Sequence, residues 1–271
     1  MKKRLGLIRL SMIVIALLGT GCVQSQRVVV PKEIDLAETS ARTASRMFEL
    51  HCLKAGEKIH RKIQNVEGVR LLRLRGNKLN LSDQYALDDP YGSDLVDKGY
   101  IESFLRDFYI VNRIKPDVSG PNSPPRVAYH FVEAIDPVDG KLYRYTGAVD
   151  EPWLRNKAYL KGHKQFVLNR ISVQSPSARY GVVFNDISTK EDRDYWIAGS
   201  SLQIIDIKTN EILAERIGYM YDPGQGNTMG GRAPWIVAAN HSCPSFGTRG
   251  ASSSQAMQTE AFVEKVLIPL N

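Results

Sequence analysis

The sequence is poor in the features that would assign it an activity. It holds no Gly-x-Ser-x-Gly, no Ser-x-x-Lys and no His-Glu-x-x-His, the local patterns of several hydrolase and peptidase classes. Three cysteines in 271 residues are too few for a disulfide scaffold. Neither sign of charge dominates. The formal net charge of +7 includes Lys2, Lys3, Arg4 and Arg9, which sit in an opening segment with no acidic residue. Without those four of the 36 basic residues, 32 face 29 acidic ones. That surplus is too small for a nucleic-acid-binding face, which needs concentrated Lys and Arg. A long apolar run is also missing: Leu10 to Leu18 falls short of the about 20 residues that span a bilayer.

What is present begins with an address. Met-Lys-Lys-Arg precedes Leu5 to Leu18, broken only by Arg9, and Gly19-Thr20-Gly21-Cys22 follows. A cationic start, an apolar core and a small-residue exit make a secretory signal, predicted over 1–21. Residues 22–34 carry Gln, Ser, Arg and Pro31 without a helical period. They read as a tether that reaches at most ~40 Å when extended. Residues 35–271 are long enough for one domain with a real core.

Leu18-Gly19-Thr20-Gly21-Cys22 resembles the lipobox of bacterial lipoproteins, which are cut before a cysteine bearing diacylglycerol. Thr20 and Gly21 fit that pattern, whereas Gly19 stands where the family places Leu. Gly19-x-Gly21 also fits an ordinary secretory cut, which would give a soluble periplasmic protein. The resemblance implies lipidation of Cys22 with diacylglycerol and palmitate. Because Val23 rather than Asp follows, it also implies the outer membrane, facing the periplasm. Acyl chains contribute ~0.8 kcal/mol per buried methylene, so two or three anchor a chain stably. With Cys22 acylated, Cys52 and Cys243 remain as an even pair in an oxidising compartment. A Cys52–Cys243 disulfide is the expectation, and two separate buried thiols are the alternative.

Asp35 to Val66 shows the strongest helical pattern. Ala41, Ala44, Phe48, Cys52, Ala55, Ile59, Ile63 and Val66 recur every three or four residues. Gly56 inside that run suggests close approach of another element. Val69 to Arg75 reads as a strand, and Ile101, Phe104, Leu105 and Phe108 fit a short helix. Lys115 to Pro125, with four prolines, reads as a loop. Strands are then expected at 126–135, 141–149, 166–173, 180–187, 196–207 and 211–221. Asp136 to Gly140 and Asp206 to Asn210 are matched hairpin turns, since Gly and Asn both tolerate the left-handed conformation. Shared turn chemistry or an old duplication would explain the match. Ser254 is placed as the cap of a last helix, Gln255 to Leu267. Helix, strands and helix without βαβ alternation give an α+β fold: a mostly antiparallel sheet packed with a long N-terminal helix and a C-terminal helix.

Candidate chemistry is sparse. Gly224 to Gly231 is glycine-rich after a strand, but no helix is expected at Arg232 to Trp235 to complete a phosphate cradle. His51, Cys52, His60, His241 and Cys243 offer zinc-type ligands without a zinc spacing, and a disulfide would consume both sulfurs. No metal, no cofactor and no catalytic residue is assigned. Tyr143, Tyr145, Tyr195, Trp196, Tyr219 and Tyr221 are the candidate partner surface, able to stack on sugars or bury a partner's side chains. Packing across the sheet explains the same residues.

Cys52 to Ile59, Trp196 to Leu202 and Thr209 to Arg216 resemble segments of a group of bacterial lipoproteins without assigned activity. That resemblance implies no site. The expected function is a non-enzymatic, lipid-anchored envelope component that binds an envelope protein or cell-wall glycan, or serves structurally, without nucleic acid. An envelope hydrolase with dispersed catalytic residues is the alternative.

Overall fold

A computed structural model describes residues 33–270 apart from 77–80, 86–87, 94, 107, 110–127, 156–157 and 247–250. The signal segment, Cys22, the tether up to residue 32 and the proline-rich stretch 115–125 lie outside the described residues. The described chain opens with α1 (Glu33–Cys52), β1 (Gly56–Ile59), β2 (Ile63–Val66), β3 (Gly68–Leu71) and α2 (Asp97–Ser103). Next come β4 (Phe131–Ile135), β5 (Leu142–Asp150), β6 (Gln165–Ser172), β7 (Tyr180–Asp186) and α3 (Lys190–Asp194). It closes with β8 (Ile197–Asp206), β9 (Glu211–Tyr221), α4 (Pro234–Ala238), β10 (Ser242–Cys243), α5 (Ala251–Val266) and β11 (Leu267–Pro269).

Helix and strand mix around one large, mostly antiparallel sheet of order β1-β9-β8-β7-β3-β4-β5-β6, with β10 also paired to β9. Two meanders, β4-β5-β6 and β7-β8-β9, flank β3, which runs parallel to both β4 and β7. The outer edge of β9 is covered twice. β1 pairs along Ala214–Ile217, and β10 pairs with Tyr219 and Met220. A separate parallel pair, β11 on β2, fixes the chain's end beside its beginning.

The two hairpin turns share their chemistry. Gly140 N donates to Asp136 O and Asn210 N to Asp206 O, while each Asp carboxylate accepts the N–H two residues on. Gly140 and Asn210 both take positive φ, 69° and 59°, the region these two residue types reach most readily. Their places in the fold differ. The first turn joins the inner and middle strands of its meander, the second the middle and outer strands of the other. Turn chemistry is sufficient to explain the match.

The expected helix over Asp35 to Val66 is not continuous. It stops at Cys52, and the remainder of the apolar stripe is delivered by β1 and β2. Gly56 supplies the reason: its φ of +142° is accessible essentially to glycine alone. No atom lies within 4 Å of where its Cβ would be, so close packing is not what selects it. Three further boundaries differ from expectation. Glu191 to Asp194 belongs to a one-turn helix, α3, capped by Thr189. Pro234 opens α4 at a position where proline's missing N–H costs nothing. α5 begins at Ala251, so Ser254 lies inside it rather than at its cap.

Alternation along β9 separates its two faces. Tyr221 packs on Phe48 and Tyr219 on His51, both from α1. The intervening face carries Arg216, Gly218 and Met220. It meets Gln258 and Gln255 of α5 and the ring of Tyr91, which lies in a 3-10 turn at Pro90–Gly92. At this end of the sheet α1 and α5 thus contact opposite faces. The main core gathers Val69, Leu71, Val132, Val182, Leu202 and Ile204 from the sheet with Phe262, Val263 and Val266 from α5.

Candidate functional site

Most of the chemistry-bearing residues that the sequence offers converge around β9. Cys52, the last residue of α1, is bonded to Cys243 of β10, with Cα atoms 5.6 Å apart. The β10–β9 pairing sets Cys243 directly beside Tyr219. His51 stacks on the Tyr219 ring at 4.4 Å, and its Nε2 lies 2.6 Å from Asp192 Oδ1. A buried Asp holding a His is the orienting half of a nucleophilic triad, but Asp192 has another task. Its second oxygen accepts from Thr189 N and Thr189 Oγ1 and so closes the capping box of α3. Among the described residues no hydroxyl hydrogen-bonds to His51, and the neighbouring sulfur is spent in the disulfide. The pair fastens α3 to α1. His241 packs edge-on against Tyr221, and His60 is exposed on the turn after β1. Among the described residues no group of three or more His, Cys, Asp and Glu side chains could hold a metal ion.

The glycine-rich loop does form an anion-binding nest, and the protein fills it itself. Fully buried Asp222 accepts from Gly224 N at 3.0 Å and Gly226 N at 2.8 Å. Arg232 pairs with the same carboxylate through both terminal nitrogens. Gly226 takes φ +78°, and a Cβ there would meet the Trp196 ring at 2.3 Å. The loop is thus ordered by Asp222 and Trp196, and its amides have no room for a phosphate.

The six aromatics do not share one surface. Tyr143 and Tyr145 stand on β5 and the other four at β8 and β9, with β4, β3, β7 and β8 between β5 and β9. At ~4.8 Å per strand that separation is roughly 24 Å. Tyr145, Trp196 and Tyr219 are buried. Trp196 packs on Trp235 at 5.2 Å, and Tyr219 lies under His51. Tyr143, Tyr195 and Tyr221 are half-buried. Tyr143 donates to Asp139 in the hairpin turn and lies under the Arg170 guanidinium.

On the opposite face of β9 lies a feature that the sequence reading passed over. An open cavity of about 560 Å³ runs between α5, β1, β9 and the segment Pro244 to Phe246 that follows the disulfide. Tyr91, Phe246, Met257 and Phe262 give it apolar walls, and Arg216 lines it with 4% of its surface exposed. Arg216 Nη1 donates to Gln258 O at 3.1 Å, while its Nε is buried without a partner. Its guanidinium lies over Tyr91 and Phe262 at 5.2 and 5.7 Å. No carboxylate is within ion-pair distance of it among the described residues. Desolvation lowers its pKa from the usual arginine value, yet arginine remains a cation at any ordinary pH. Burial pushes the Tyr91 phenol up to about 12, so it is a neutral neighbour and no counter-ion.

A signal for Arg216 was present. In Ala214-Glu-Arg216-Ile-Gly218-Tyr-Met220 the arginine has the parity of Ala, Gly and Met, the small or apolar side of a strand. The comparisons add no relative to this geometry: no protein-family model, curated protein or solved structure matches the chain.

Proposed function

We propose that this chain is a lipid-anchored envelope protein, held at the outer membrane through acylated Cys22 and facing the periplasm. On this reading residues 1–21 are the removed signal, 22–34 the tether, and 35–271 a single α+β domain. Its mostly antiparallel sheet is packed with a long N-terminal helix and a C-terminal helix. It acts as a binding or accessory component, engaging an envelope protein or cell-wall glycan. One observation carries the reading. Cys52 and Cys243 are joined, which suits an oxidising compartment and leaves Cys22 as the remaining one of the three cysteines. Tyr143, Tyr195 and Tyr221, the partly accessible members of the aromatic set, are the ones a partner can reach.

Substitution Cys22→Ala tests the anchor. Metabolic labelling with palmitate is expected to vanish, and the protein to leave the membrane fraction. A variant that remains membrane-bound refutes the anchor at that residue. Cross-linked pull-down of the detergent-extracted wild type tests the binding role, with reproducible recovery of one envelope component as the expected result. Failure to recover anything reproducibly counts against it.

A further inference from the structure

The cavity beside Arg216 combines apolar walls with a buried positive charge that has no ion-pair partner among the described residues. The charged groups that act most strongly on Arg216 are Asp89, Arg75 and Glu57. Asp89 is bonded to Arg75 at 2.8 Å, and Glu57 to Lys265 at 2.6 Å on the rim. Three cations therefore face two carboxylates, and the surplus charge belongs to Arg216. An unpaired ion held out of water is costly, and the fold offsets that cost only with one carbonyl and two ring faces. Gln258 occupies Nη1, and Nε is unpartnered but buried out of the cavity's reach, which leaves the other guanidinium N–H groups for an anion. A carboxylate or phosphodiester gains a charge-assisted hydrogen bond from a guanidinium N–H. The cavity volume falls within the ~300–1,000 Å³ usual for small-ligand sites.

We infer that this cavity binds a singly charged amphiphile, its anionic head on Arg216 and its apolar body along Tyr91, Phe246, Met257 and Phe262. The local surplus of one positive charge selects a monoanion. A second negative charge would find Lys265 already taken by Glu57. A small hydrophilic anion would leave the aromatic and Met walls wet. The inference is independent of the anchor at Cys22, and its failure would leave that proposal standing.

Purified full chain in a neutral maltoside provides the test, with radiolabelled dodecanoate in equilibrium dialysis against protein-free micelles. Dodecanol and a monoacyl phosphatidylglycerol run in parallel. Dodecanoate should saturate a single site, and dodecanol should bind at least roughly tenfold more weakly, the loss of one charge-assisted contact. Arg216→Met should reduce dodecanoate to the level of dodecanol. Ala261→Trp, at an exposed position of α5 that lines the cavity, should block both probes without touching the charge, and its thermal melt reports whether it folds. Tighter binding of the phosphatidylglycerol assigns the head as a lipid phosphodiester and weaker binding as a carboxylate; either supports the site. Equal binding of dodecanoate and dodecanol, no saturable binding, or unchanged binding in Arg216→Met or folded Ala261→Trp overturns it.

Discussion

Arg75 and Arg216 stand in similar aromatic settings. Both are buried, and each guanidinium lies over two aromatic rings, Tyr100 and Phe184 for Arg75, Tyr91 and Phe262 for Arg216. Asp89 separates them in kind. It accepts from Arg75 at 2.8 Å through one oxygen and caps the 3-10 turn through Gly92 N with the other. Gly92 is needed there because a Cβ would stand 2.2 Å from Arg75 Nη2. Both arginines border a cavity and both keep a buried nitrogen without a partner; the difference is that Arg75 has a carboxylate counter-ion and Arg216, among the described residues, has none. A buried cation held by its own counter-ion reads as architecture, and one without a counter-ion beside open space reads as a binding group.

The comparison can be broken most severely at the wall of the Arg216 cavity. Tyr91 Oη donates to Pro244 O, and Pro244 follows the disulfide-bonded Cys243. Cys52 and Cys243 are 191 residues apart, and closing a loop of that size stabilises by at most ~5 kcal/mol through the unfolded chain. The Cys52→Ala/Cys243→Ala double variant should therefore show the largest loss, read by urea unfolding. Asp89→Ala comes next. It leaves Arg75 buried without its counter-ion, and a loss of about 3–5 kcal/mol is expected. Thermal and denaturant melts check it, and an effect below 1 kcal/mol would dissolve the contrast with Arg216.

A second buried carboxylate sharpens the comparison through pH. Glu133 is fully buried on β4. Burial alone would raise its carboxyl, but Arg144 and the N–H groups of Ala178 and Ser177 outweigh that and hold it below the usual range. A carboxyl lowered in the folded state stabilises fully above its unfolded pKa, about 4.3, and loses that contribution as pH falls through the lower folded value. Melting temperature should drop over that acid window, and Glu133→Gln should flatten this part of the profile. Arg216, which has no carboxylate partner, should contribute nothing to it.

Local signals were readable where local chemistry decides. Asp136 with Gly140 and Asp206 with Asn210 announce the hairpins, because positive φ and an Asp side chain are properties of those residues themselves. The Cys52–Cys243 pairing is expected only once Cys22 is set aside as the lipobox cysteine that the resemblance implies. The end of α1 was hidden because Ile59, Ile63 and Val66 continue a helical spacing by coincidence, and only the positive φ of Gly56 overrides it. Asp222 and Asp89 were invisible for another reason. An Asp that folds a glycine loop onto itself, or pairs with an arginine fourteen residues before it, looks in sequence like any solvated carboxylate. Arg216 was legible in principle, as a charge at inward parity on a strand. What surrounds it depends on α5 and on Pro244 to Phe246, which no nearby residue encodes.

The smallest expected effect is the most informative. Replacing Arg75 or Asp89 singly strands a charge, whereas replacing Arg216 removes one that is already stranded. Methionine keeps much of the volume and the contact with Tyr91 and Phe262 while deleting the desolvated cation, and such exchanges are often neutral or stabilising. Arg216→Met should therefore lie within about 1 kcal/mol of wild type or above it, the lost bond to Gln258 O offsetting part of the gain. Urea unfolding with an unchanged slope is the measurement, since the slope reports whether the native state keeps its compactness. If Arg216→Met destabilises as strongly as Asp89→Ala, Arg216 is a structural residue like Arg75 and the asymmetry between them disappears.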